Sequence, residues 1–272
     1  MKLRSIRHKI SGLFSIAFVL LDLFVGQPIG AQAQSAKSPV ERHRLNLEIP
    51  AGTVLPVRLN HGFSSKNAKE GQAITAQIMQ DVPLPNNGNI PGGTKVLGTI
   101  VSVQRAASGT NGRVSFRFDV LAIHQNRIPI FTNLRALAGF MEVQFAQTPE
   151  FTPGFGTPYV WADTRQIGGD EVYGVGGPVT DQWNQTVGKA VYGGVLVHVR
   201  AQPGSECRGA LDAEDQIQAL WVFSSDACGV YGIEHMNIVH AGRTAPVGTI
   251  VLASQTQNVK LRSGDGLLLR VD

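Results

Sequence analysis

Cysteine is nearly absent: Cys207 and Cys228 are the only two in 272 residues. That scarcity excludes the cysteine-dense scaffolds of small secreted domains and the four-cysteine zinc frames. Charge is also sparse, at 16% of residues. Long helical periods are missing outside the N-terminus, and 31 Gly with 14 Pro punctuate the rest. No phosphate loop, no dinucleotide fingerprint and no Gly-x-Ser-x-Gly elbow occurs. These absences leave an enzyme only a site built from residues distant in sequence.

The N-terminus has the three-part layout of a secretory leader. Lys2, Arg4, Arg7 and Lys9 precede an apolar run over 10–25, and Ala31-Gln32-Ala33 offers small residues for cleavage. The run is short for a membrane span and is interrupted by Asp22. Residues 1–33 are therefore expected to be a signal peptide, with no transmembrane segment left after cleavage and a secreted or periplasmic product. The leader holds four of the 24 basic residues and one of the 20 acidic ones, which leaves 20 against 19, or +1. That near balance gives no case for nucleic acid as a partner. In an exported chain two cysteines are most simply one disulfide, here closing 22 residues from Cys207 to Cys228.

The pattern after the leader is β. Residues 34–44 are polar and read as a flexible lead-in. Over Arg113–Val120, Val114, Phe116, Phe118 and Val120 alternate with Arg113, Ser115, Arg117 and Asp119. Val195, Val197 and Val199 alternate likewise, as do Leu267, Leu269 and Val271. Strict period two predicts half-buried strands of an antiparallel sheet. Asn87-Gly88, Asn111-Gly112 and Gln125-Asn126 mark turns. Helical turns are conceivable only at 67–71 and 134–145. The fold class expected is all-β, an antiparallel β-barrel or sandwich with long loops rich in Gly, Pro and aromatics. Residues 45–134 form a barrel-like module and 135–189 a loop-rich connector. Residues 190–272 form a second β region that carries the disulfide; it is either a second domain or, if its last strand returns to the first module, the completion of one composite domain.

One short phrase recurs. "IPAGT" spans 49–53, "IPGGT" spans 90–94, and "APVGT" at 245–249 echoes them. Proline at the second corner of a tight turn, glycine after it and a β-branched threonine starting a strand explain each residue used. The stretch from Ile49 to about Thr132, with "IPAGTVLPVRL", "SSKNAKEGQ", "IPGGTKVLGTIV" and "GRVSFRFD", resembles a module of secreted acidobacterial proteins. It is also distantly similar to the C-terminal β-barrel of the TrbI-like scaffold of conjugation and type IV secretion channels. That resemblance implies a β-barrel packing against envelope partners. The family's inner-membrane helix, proline-rich spacer and outer-membrane antenna have no counterpart here, so channel formation is not implied.

Candidate functional residues are few. Residues 139–193 carry Phe155, Tyr159, Trp161, Tyr173 and Trp183, loop aromatics that either cap a core or contact a sugar or peptide. His198, His235 and His240 are the candidate metal ligands, but the five-residue step from His235 to His240 suits neither one helical face nor one strand face. Asp212, Glu214, Asp215 and Asp226 cluster within the cysteine loop without a calcium-loop pattern. No cofactor is called for. The sequence favours an exported envelope module without catalytic activity that contacts a protein or glycan. The alternative is a secreted hydrolase or metal-dependent enzyme assembled from distant His and Asp/Glu.

Overall fold

The computed structural model describes residues 49–85, 87–152, 161–199, 217–255 and 257–272. The expected leader at 1–33 and lead-in at 34–44 lie outside the described residues. Strands dominate the rest, as the period-two pattern predicts. β1 (Val54–Leu59), β2 (Phe63–Ser64) and β3 (Ala73–Ile78) lead to a small flap of β4 (Val82–Pro83) and β5 (Asn89–Ile90). Two long strands follow, β6 (Lys95–Gln104) and β7 (Arg113–Ile123), then β8 (Asn126–Pro129) and β9 (Thr132–Ala138). After helix α1 (Phe140–Phe145) come β10 (Glu150–Thr152), β11 (Trp161–Arg165), β12 (Glu171–Tyr173) and β13 (Pro178–Thr180). β14 (Thr186–Val191), β15 (Gly194–His198) and β16 (Ile217–Ala219) continue the run. The chain ends with β17 (Gly229–Tyr231), β18 (Met236–His240), β19 (Ile250–Ser254), β20 (Lys260–Leu261) and β21 (Gly266–Val271).

The first sheet has ten strands in the order β17-β9-β21-β1-β3-β6-β7-β19-β18, with β8 beside β7. β9 is where the sheet returns on itself. It pairs antiparallel with β21 and, on its other side, parallel with β17. The Leu134 N–H also reaches the Ala241 carbonyl, just past β18, at 2.8 Å. The sheet is thus a nearly closed barrel, which hides most of its edges. The second sheet is a seven-stranded antiparallel meander of β10 to β16 in chain order. No helix among the described residues is long and apolar enough to cross a membrane.

The repeated phrase is one turn used three times. Thr53, Thr94 and Thr249 each close their N–H onto the proline carbonyl three residues back, all at 3.2 Å. Proline thus takes the first corner, not the expected second. Glycine takes the third, with φ of +90° at Gly52, +90° at Gly93 and +75° at Gly248, as a type II turn requires. Each glycine N–H then bonds a neighbouring segment: Val271, Ile78 and Gly242 carbonyls accept at 2.8, 2.8 and 2.7 Å. The three turns launch β1, β6 and β19, all in the barrel.

Two cores follow from two packing faces. Inside the barrel lie Leu55, Val57, Ile100, Phe116, Phe118, Leu267 and Leu269. Phe116 stacks edge-on against both Phe63 and Phe118. Outside it, Val54, Ala136, Ala138 and Leu268 meet the inward valines of the second sheet, including Val179, Val195 and Val197. Strand β21 therefore has both faces buried, and its unbroken Leu-Leu-Leu run is explained. Gln80 ties the sheets together. Its Nε2 donates to the Val195 carbonyl at 3.0 Å, and its Oε1 accepts the Trp221 N–H at 2.5 Å.

Several expectations need amendment. Alternation in β7 changes phase after Phe118, because a bulge sets Leu97 opposite Val120 and Gly98 opposite Phe118. Leu121 and Ile123 are then buried, and Val120 is only half-buried. The stretch 135–189 supplies the end of β9, helix α1 and five strands rather than loop alone. Residues 190–272 are shared between both sheets. The apolar run 219–223, which reads in the sequence as a buried strand, is strand only at Ala219, the end of β16. A turn with Trp221 at φ +54° carries the buried Leu220–Phe223.

Candidate functional site

The site grows from a ladder of two residue pairs. β2 and β20 pair antiparallel, Phe63 with Leu261 and Ser64 with Lys260. Leu261 points into the barrel core, so Lys260 and Arg262, one residue to either side, face outward. The ladder is held by a buried polar knot. Ser65 Oγ donates to Asn258 Oδ1 at 3.0 Å and accepts the Val259 N–H at 3.0 Å. Asn258 Oδ1 also accepts the Ala106 N–H at 2.9 Å. Lys66 follows on the β2 side, its N–H donated to Ser64 Oγ at 3.2 Å.

Helix α1 forms the opposite wall. Its N-cap residue is Gly139, which contributes no side-chain cap. A carboxylate from elsewhere does that work: Asp265 Oδ1 accepts the Phe140 N–H at 2.8 Å, and Oδ2 accepts the Arg262 N–H at 2.7 Å. Asp265 is 2% exposed. Burial pushes its carboxyl above the ordinary value of 3.8, against the opposing pull of the two amides and the Arg262 guanidinium. Gly139 sits where a Cβ would press on the Gly232 carbonyl, which brings the helix start close to the turn before β18.

Between these walls lies a cleft of about 590 Å³, within the usual range for ligand sites. Phe140, Met141, Ile233 and Met236 give it an apolar side. Phe140 is 39% and Met141 52% exposed, high for large apolar residues. Lys66, Lys260 and Arg262 give it a cationic side. Among the described residues no ion pair joins any of the three to an acid. The lining acids are Glu234, exposed at the rim, and Asp265, whose two oxygens already accept backbone amides. A smaller hollow of about 280 Å³, lined by Glu142, Glu150, Arg165 and Tyr231 among others, lies at the other end of α1.

The residues singled out in sequence are dispersed. His198 is on β15 in the second sheet, His235 is exposed in the turn before β18, and His240 ends β18. Among the described residues no group of three His, Cys, Asp or Glu could hold a metal ion. Tyr173 ends β12, half-buried. Trp183 is 60% exposed at the β13–β14 turn, where Asp181 Oδ1 accepts the N–H groups of Trp183 and Gln185 at 2.9 and 2.8 Å. Trp161 opens β11. Phe155, Tyr159, Cys207, Asp212, Glu214 and Asp215 lie outside the described residues. Cys228, the other cysteine, is described. Its N–H is donated to the Tyr231 hydroxyl at 3.0 Å.

Sequence reasoning missed the cleft. Lys66, Lys260 and Arg262 are ordinary surface cations in the sequence. Only the pairing of β2 with β20, almost 200 residues apart, brings them together. Comparison with protein-family models, with curated proteins and with solved structures gives no match.

Proposed function

We propose that this chain is an exported, non-catalytic binding module of the cell envelope, and that it holds its partner in the cleft between α1 and the β2–β20 ladder. The supporting observation is the cleft's lining: three cations that form no ion pair with an acid among the described residues face an exposed apolar wall of Phe140 and Met141. Cations and large apolar side chains left open to water on a rigid barrel are the usual makings of a binding surface. The partner class is a protein or a glycan of the envelope. We further propose that Cys207 and Cys228 form a disulfide that staples the segment leaving the second sheet. The closed loop of 22 residues would stabilise the fold by about 3 kcal/mol.

The test is a photo-crosslinking amino acid placed at Met141, with the same group at Trp183 as control, in cells making the tagged full chain. The expected result is one stoichiometric envelope adduct at Met141 and none at Trp183. Mass spectrometry of the same preparation should give a mature chain beginning at Gln34 with two fewer hydrogens than the dithiol. A chain that yields no adduct at Met141, and carries a stoichiometric metal with chelator-sensitive activity, would replace this reading with an enzyme.

A further inference from the structure

We infer that the cleft takes an extended acidic peptide segment, one with two carboxylates spaced by two residues and a large apolar side chain beside them. This rests on the binding-module reading above and specifies its ligand. The spacing comes from the ladder. Lys260 and Arg262 lie two residues apart on the outward side, with the buried Leu261 between them. Two residues of extended chain rise about 7 Å. An extended peptide presents its own residues i and i+2 on one side at that same repeat. Two carboxylates so spaced can each meet one cation, and Arg262 offers the planar fork that binds a carboxylate with two hydrogen bonds. Lys66 extends the cationic row. In the antiparallel register set by Ser64 opposite Lys260, Lys66 falls across from Asn258.

The rest of the cleft favours a peptide over a glycan. Among the described residues its only lining aromatic is Phe140, and none of them gives it a Trp or Tyr platform on which a sugar ring would stack. The apolar wall of Phe140, Met141, Ile233 and Met236 instead suits an aliphatic or aromatic side chain. Met is well suited to accept such groups because its unbranched chain adjusts to their shape. The field inside the cleft is set by the cations. Asp265 spends both oxygens on the Phe140 and Arg262 amides, and Glu234 stands alone at the rim. Complementary charge would steer an acidic segment in and reject a basic one.

The experiment pans a display library of short random peptides on the purified full chain, with counter-selection on the double variant Lys260→Glu, Arg262→Glu. Both changes are on exposed side chains; because Arg262 also lies near the Asp265 carboxyl, panning is done well below the double variant's own measured unfolding midpoint, so that lost binding reports the cleft and not unfolding. The expected winners carry Asp or Glu two residues apart next to Leu, Met or Phe, and bind the double variant about tenfold or more weakly. Their affinity should fall as salt rises. Winners without acidic pairs, winners that bind the double variant equally, or no winners at all would overturn the inference. Tight binding of an oligogalacturonate in place of any peptide would also overturn it and assign the cleft to anionic glycans. A Met141 crosslink in cells that persists in the double variant would sink the acidic-peptide inference alone. Loss of that crosslink in the parent chain would sink the binding-module reading itself.

Discussion

The carboxylate of Asp265 caps a helix that begins 125 residues earlier, accepting the Phe140 N–H at 2.8 Å. Helix α1 has only Gly139 at its own N-cap, so its first turn depends on the loop before β21. Asp265→Ala leaves two amides without acceptors, at Phe140 and Arg262. The expected cost is about 2 kcal/mol, read as a lower urea midpoint with an unchanged slope. The same variant should loosen the apolar wall of the cleft. Proteolytic nicking near α1 would rise while the rest of the barrel resists. A variant as stable as the parent would remove Asp265 from this role.

Burial also makes the stability pH-dependent. Asp265 and Asp272 both have carboxyls raised above the ordinary 3.8, chiefly by desolvation. In Asp272, Arg270, the Asn133 amide and Arg243 oppose that rise. A carboxyl whose folded pKa exceeds its unfolded one contributes stability that is fully present below the unfolded value. That contribution is lost as pH rises through the folded pKa. Asp272→Asn retains an acceptor for Asn133 and cannot ionise. Its stability relative to the parent should therefore climb as pH increases above 3.8, measured by urea unfolding across the acidic range. A gap that stays flat with pH would mean burial does not dominate at Asp272.

The repeated turn contains its own control. Ala51 in the first copy occupies the corner that Gly92 fills in the second. Gly92 has no positive φ, and a Cβ there meets only ordinary contacts with Gln80 and Asp81. Gly93, one residue on, has φ +90°. Gly92→Ala is expected to be neutral or to stabilise by about 0.5 kcal/mol, through the unfolded chain. Gly93→Ala is expected to destabilise by about 1–2 kcal/mol. The comparison needs only two denaturation curves, and equal effects would refute the assignment of the corners. Gly98 is a harder case. A Cβ there would overlap the Arg117 carbonyl at the β7 bulge, so Gly98→Ala should disturb the sheet itself.

What could be read from the sequence tracks how local the cause is. The β class, the inward valines of β15 and the strand starts after each Pro-x-Gly-Thr came from period two and turn chemistry, which neighbouring residues decide. The phase change in β7 did not, because it depends on Gly98 lying across from Phe118 in another strand. The burial of both faces of β21 needed the second sheet, whose strands are three to six residues long. Such strands carry little periodic signal. The cleft was illegible for the same reason at greater range. Lys66 and Lys260 are brought to one cleft by a ladder of two residue pairs, and Asp265 reaches α1 through a single hydrogen bond.

Gln80 gives the sharpest test of how the two sheets are joined. Its side chain is buried and spans them, with Nε2 on the Val195 carbonyl and Oε1 on the Trp221 N–H. Trp221 holds φ +54°, unusual for a large side chain, and that amide bond fixes its backbone. Gln80→Met keeps the volume and deletes both bonds. The Trp221 N–H would then be unmet, while the Val195 carbonyl keeps the Leu220 N–H at 3.2 Å; the cost should be about 2 kcal/mol, and the emission of Trp221 should shift toward the red as its packing loosens. Gln80→Glu separates the two bonds. The carboxylate still accepts from Trp221 but turns a second acceptor toward the Val195 carbonyl, a clash that a proton relieves. Its folded pKa should thus lie above the unfolded value of about 4.3. The stability of Gln80→Glu should then fall as pH rises from about 4 toward neutrality. Gln80→Met should show no such fall relative to the parent. If both variants tracked the parent at every pH, the sheets would be held by their apolar contact alone, and Gln80 would be a passenger in that interface.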